Sequence, residues 1–181
     1  MTDQPSSPPK SGAVRALTQA LALLSRIGAG LAFAVLIAAV TIQVVGRTIG
    51  TSPVWTEELT RYALLYLAAF GAGVALKTGD LVNVDLLLNA MPRRIGWVMR
   101  LLSAIAIVIL AAILIHPAWR FTAIGAFQTS PAMGLRMTAV HASVLVMLAL
   151  LGLFALLRVI GMLTGGDDGR PDSDGLSDGA A

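Results

Sequence analysis

No cysteine occurs among the 181 residues of the chain. That absence excludes disulfides, thiolate-ligated zinc, iron–sulfur clusters and thiol catalysis. Charge is scarce as well. Only 13% of residues are Asp, Glu, Lys or Arg, against about 25% in an ordinary soluble domain. Lysine is nearly missing, with Lys10 and Lys77 beside eleven arginines. Of ten acids, six (Asp3, Asp167, Asp168, Asp172, Asp174, Asp178) lie in the terminal segments, leaving Glu57, Glu58, Asp80 and Asp85 between them. None of these four falls at the centre of an apolar run. A cation-coupled carrier places ionisable groups inside its membrane spans, so this chain does not read as a carrier by itself. Catalytic patterns are also absent: no HExxH, no GxSxG, no phosphate-cradling loop, no Ser or Thr beside a plausible base. The basic residues are scattered, so the net charge of +3 marks no nucleic-acid face.

What the chain has is apolar length. Its composition is 56% hydrophobic and its mean hydropathy is +0.80. Four long apolar runs recur, and nearly every charge sits between them. About 20 apolar residues suffice for a helix to cross a hydrocarbon core roughly 30 Å thick. The reading is an all-α integral membrane protein with four transmembrane helices, spanning about 27–45, 59–76, 95–115 and 138–163. No span contains a proline. The first run is full length and then meets Gln43 and Arg47, so it reads as a retained span rather than a signal peptide. The fourth is longer than needed and should tilt or protrude.

Flanking segments complete the domain plan. Residues 1–12 are rich in Pro and Ser, and residues 165–181 in Gly, Asp and Ser. Both read as disordered tails around a membrane domain at 13–164. Within 14–27, Val14, Leu17, Leu21 and Leu24 share one helical face, with Arg15, Gln19 and Arg26 opposite. Two readings stand for this N-terminal amphipathic helix: an extension of the first span, or a helix lying on the membrane surface. Arginine in place of lysine, with abundant Ala and Gly, hints at a GC-rich bacterial genome.

Orientation follows from the positive charges. With the N-terminus in the cytosol, Lys10, Arg15, Arg26, Lys77, Arg93, Arg94, Arg100, Arg158 and Arg170 lie inside. Arg47, Arg61, Arg120 and Arg136 lie outside. Nine against four favours both termini cytoplasmic. Trp55 and Trp119 then mark the outer interface and Trp97 the inner one.

The polar residues that could act cluster after the first span. Ser52-Pro53 suits an N-cap and first helical residue. Glu57–Arg61 and Glu58–Arg61 are i,i+4 and i,i+3 pairs with the acid nearer the N-terminus, which favours both the pair and the helix dipole. They read either as an ordered helix start or as a docking site for a partner's charges. Arg47 either snorkels to headgroups or meets Glu57 or Glu58 across the short connection. His116 and His141 fall at similar depth on adjacent helices. They read as interfacial histidines, with axial haem ligation as the alternative. Gly71 and Gly73 read as close-packing positions on the second helix.

From Arg47 to Asp85 the sequence is ordered in a specific way. Arg47 follows the first span. Trp55, Glu57, Glu58, Leu59, Arg61 and Tyr62 open the second. Gly71 lies within it, then Lys77 and Gly79 make a basic-Gly turn before Val84, Asp85, Leu86 and Leu87. This order resembles the small membrane subunit of tripartite ATP-independent periplasmic (TRAP) transporters, and the good match covers about a quarter of the chain. The Ser130-Pro131 and Met133–Met137 stretch fits loosely. Tyr66 stands where that family often has Trp, and Leu81 where it often has His. The resemblance implies a bacterial inner-membrane scaffold that is not an enzyme and carries no cofactor. It implies a large permease subunit, holding substrate and sodium sites, and a periplasmic solute-binding protein as partners in organic acid uptake. It also implies that Arg47, Trp55, Glu57, Glu58 and Arg61 order the helix start or dock a partner. Two other classes remain: a haem-binding anchor of a redox enzyme using His116 and His141, and an autonomous small transporter or channel.

Overall fold

The structure is a computed structural model, and it describes residues 12–51, 53–78 and 93–164. The terminal tails, Ser52 and most of the 77–94 connection, with Asp80 and Asp85, lie outside the described residues. The described chain is helical, with four helices long and apolar enough to cross a membrane. They are α1 (Gly12–Ile49), α2 (Trp55–Thr78), α3 (Arg93–Ile124) and α4 (Thr138–Leu163), with a short 3-10 turn at Gly125–Phe127.

Helix α1 runs for 38 residues without interruption, a length of about 57 Å at 1.5 Å per residue. The amphipathic stretch 14–27 is therefore continuous with the first span. Its buried positions are small: Ala22, Ser25, Ala32 and Ala39. Their spacings of three and seven residues keep them on one seam, where α2 packs. Opposite them, Leu24, Leu31, Phe33 and Val45 stay exposed. The helix ends in a Schellman motif. Gly50 takes φ +80°, while Thr51 N donates to Gly46 O at 2.9 Å and Gly50 N to Arg47 O at 3.3 Å. These two bonds satisfy carbonyls that the helix end would otherwise orphan.

Helix α2 starts two residues after Pro53. The fully buried Thr56 donates its hydroxyl to Pro53 O at 2.6 Å. Glu57 and Glu58 occupy the first turn, where the helix dipole favours negative charge.

Helix α3 outlasts the expected span. The sequence places its end at Ile115, yet the helix runs nine residues further to Ile124 with Pro117 inside it. Proline costs the helix one backbone hydrogen bond. The packing face continues past it nonetheless: Ala104, Ala111 and Ala118 are buried seven residues apart, and Gly125 extends the series. These small residues let α4 approach closely. A methyl on Gly152 of α4 would sit 3.0 Å from Ala111 Cβ.

The helices form a row rather than a closed bundle. Helix α1 packs along α2, α2 along α4, and α4 along α3, with slight contact between α1 and α4. The α1 end at Gly50–Thr51, the α2 start after Pro53 and the 125–137 connection lie at one end of this row, the loop end. Ala22, Leu76, Phe154 and Ala155 form its apolar centre. Only 28% of the apolar window of α4 is buried, and 11% of that of α1. The remaining apolar surface needs lipid or protein against it.

Candidate functional site at the loop end

The residues singled out from sequence gather where α2 begins, but they divide into two sets. Glu58 faces inward. It accepts a hydrogen bond from the hydroxyl of buried Ser130. It also accepts from Ala132 N at 3.2 Å, Met133 N at 3.3 Å and the Tyr62 hydroxyl at 3.4 Å. One carboxylate thus gathers four donors, three of them from a loop more than 70 residues away in sequence.

That loop is shaped to present them. Ser130 N donates to Leu135 O at 2.8 Å, Gly134 N to Ser130 O at 3.0 Å, and Met137 N to Gln128 O at 2.9 Å. Thr129 and Arg136 pair as an isolated antiparallel bridge. Gly134 takes φ +65°, a conformation glycine adopts without steric penalty. The tight turn points the Ala132 and Met133 amides at Glu58. An ionised carboxylate, which only accepts, suits such a cluster of donors.

Tyr62 and Tyr66 extend the stitching along the same face of α2, four and eight residues after Glu58. The Tyr62 hydroxyl lies 3.8 Å from Met137 Sδ. The Tyr66 hydroxyl donates to Ala139 O at 2.5 Å. Below them, a methyl on Gly73 would lie 3.2 Å from Leu150 Cβ and from the Phe154 ring. Gly71, read from sequence as equivalent, has nothing within 4 Å. Tyr62, Tyr66 and Ser130 were not among the expected site residues. The signal for the two tyrosines was a polar i,i+4,i+8 stripe with Glu58 on an otherwise apolar helix; Ser130, in the loop, carried none.

The second set faces away. Arg47, Trp55, Glu57 and Arg61 are all exposed. Neither glutamate forms an ion pair with Arg61, and Arg47 pairs with neither. Arg47 sits in the last turn of α1, where a cation suits the dipole.

The histidines do not form a paired site. The His141 ring stacks on Phe121 at 3.9 Å between centroids and 23° between planes. Its Nδ1 lies 3.0 Å from Phe121 O. His116 stands five residues earlier on α3, exposed. The haem-anchor alternative finds no support in this arrangement. No group of three or more His, Asp or Glu suited to a metal ion occurs among the described residues.

Ionisable groups elsewhere are few. Glu57 and Glu58 are the only acids among the described residues. Arg100, near the start of α3, is buried, and its Nε and Nη1 have no hydrogen-bond partner among the described residues. No curated protein matches the chain. The sequence model of the DctQ component of tripartite ATP-independent periplasmic transporters matches residues 36–165, from the middle of α1 through the end of α4. The chain belongs to this family, the small membrane component of TRAP transporters.

Proposed function

We propose that this chain is the fixed scaffold subunit of a sodium-driven uptake system for a carboxylate-bearing solute in a bacterial inner membrane. It works with a large permease subunit and a periplasmic solute-binding protein, and both of its termini face the cytosol. The observation that carries this reading is the distribution of acids. The described helices hold only Glu57 and Glu58, both at a helix start, and Glu58 is already occupied by its own chain. Sodium sites are built from oxygen ligands, and transported protons need titratable groups along a path. Coupling therefore belongs to another subunit.

Within this reading Glu58 orders the helix start and its loop. Arg47, Trp55, Glu57 and Arg61 are the docking candidates, being exposed and without an ion pair among the described residues. The test is reconstitution. Proteoliposomes with the chain alone should show no solute uptake. Adding a large permease subunit and a periplasmic solute-binding protein should produce uptake driven by an inward sodium gradient. Uphill transport by the isolated chain would refute the scaffold role. The triple variant Glu57→Ala/Arg61→Ala/Arg47→Ala should fold normally yet recover less of the large subunit on co-purification. Full recovery would remove the docking role.

A further inference from the structure

The four helices are not level with one another. Four close contacts fix their offsets. A methyl on Gly28 of α1 would sit 2.8 Å from the Phe70 ring of α2. A methyl on Gly73 of α2 would sit 3.2 Å from Leu150 Cβ of α4, and one on Gly152 of α4 would sit 3.0 Å from Ala111 Cβ of α3. A methyl on Gly125, in the 3-10 turn that follows α3, would sit 2.7 Å from the Thr138 amide nitrogen of α4. Counting along the helices from these contacts at 1.5 Å per residue, the middle of α1's apolar stretch lies about 25 Å nearer the loop end than that of α3. The row carries α1 at one edge and α3 at the other. Three interaxial gaps of 8–10 Å set those edges roughly 25 Å apart.

An upright insertion cannot satisfy such a row. It would set exposed Arg26 and Arg120 deep in hydrocarbon while lifting Arg47 well clear of the membrane. A slab inclined by about 45° to the helix axes removes the conflict, because the axial and lateral offsets are equal. We propose that the chain crosses the bilayer obliquely, its helices inclined by about 45°, so that its lipid-facing belt runs diagonally across the row.

Two groups of residues outside that calculation support it. Trp55 and Trp119, both exposed, lie about 18 Å apart along the axes. The inclined slab brings them to one surface, with Arg47 and Arg120 beside them. Arg26, Lys77, Arg158 and Trp97 come from all four helices, and Arg26 and Trp97 differ by about 25 Å axially. The same slab gathers these four at its other surface. Aromatic and basic residues collect at membrane–water interfaces, so two belts emerge where the upright placement has none. The inclination also accounts for helices of 38 and 32 residues where about 20 suffice for an upright crossing. Typical spans incline by about 20°.

The absence of cysteine makes the test clean. Leu17 and Ile105, both exposed, share one axial level by the same count but sit on opposite edges of the row. Leu17→Cys and Ile105→Cys, each spin-labelled in the reconstituted full chain, report depth through collisions with oxygen and a water-soluble nickel complex. The oblique placement sets the two labels about 18 Å apart in depth, with position 17 at the aqueous surface and position 105 in the acyl region. Equal depths overturn it. Infrared dichroism of the unsubstituted protein in oriented bilayers gives the mean helix inclination independently. A value about 45° is expected, and one near the ordinary 20° overturns the proposal.

Discussion

Gly125 offers the sharpest test of how α4 is seated on α3. It closes α3 and seats the start of α4 and its preceding loop. A methyl there would lie 2.7 Å from the Thr138 amide nitrogen, 2.8 Å from the Met137 carbonyl carbon and 2.8 Å from His141 Nδ1. Two of these neighbours are backbone and cannot rotate away. Overpacking costs about 1–3 kcal/mol, and an immovable obstacle places Gly125→Ala near the upper figure. About 3 kcal/mol lowers the folded-to-unfolded ratio roughly a hundredfold. Gly71→Ala is the control. Gly71 also lies in a helical segment but has nothing within 4 Å, so alanine there gains about 0.5–1 kcal/mol of helix propensity. Both variants can be followed by tryptophan fluorescence during unfolding from mixed micelles. If Gly125→Ala proves as stable as Gly71→Ala, the close seating of α4 on α3 is wrong.

Three further outcomes follow from the loop end. Glu58→Ala strips the carboxylate from the Ala132 and Met133 amides, so hydrogen exchange at both should accelerate; Glu58→Gln, which keeps one acceptor oxygen, should fall between, and unchanged exchange in both variants would remove the clamp. Gly50→Ala forces a side chain into the left-handed region at φ +80° and should destabilise the chain by roughly 1–2 kcal/mol, read in the same unfolding assay. Tyr66→Phe deletes the hydrogen bond to Ala139 O and should cost about 0.6–1.5 kcal/mol; a neutral result would mean that α2 and α4 are held by packing alone.

The four helices were legible because a bilayer demands long apolar segments, and that demand is written locally. The sequence reading ends the first span at about 45, whereas α1 runs to Ile49 and stops at Gly50, a local signal that was passed over. The course of α3 was hidden behind Pro117, which reads as punctuation. The counter-signal was the seven-residue series of Ala104, Ala111, Ala118 and Gly125, which carries the packing face through the proline. Gly71 and Gly73 looked alike because their difference depends on which side of α2 the neighbouring helix lies. Glu57 and Glu58 looked alike for the same reason. Three of the four donors to Glu58 lie 72–75 residues away, and no i,i+4 rule could name them.

That asymmetry between neighbouring glutamates bears on function. A carboxylate that gathers four donors has little capacity left for a partner, whereas exposed Glu57 and Arg61 keep theirs. The local i,i+3 and i,i+4 pairs expected from sequence would have consumed all three charges in stabilising a helix start. Instead Glu58 spends its hydrogen-bonding capacity across the fold, tying the 128–137 loop to α2. Tyr62 and Tyr66 continue the seam toward α4. The polar bonds from α2 to α4 and its preceding loop thus lie along one face of α2, and the outward charges stand on a helix start already held from behind. Rim charges on a preordered surface steer association and fix register more than they add affinity. Losing Glu57 and Arg61 should therefore slow assembly with a larger partner while leaving the fold intact, whereas losing Glu58 should loosen the loop first and assembly only in consequence.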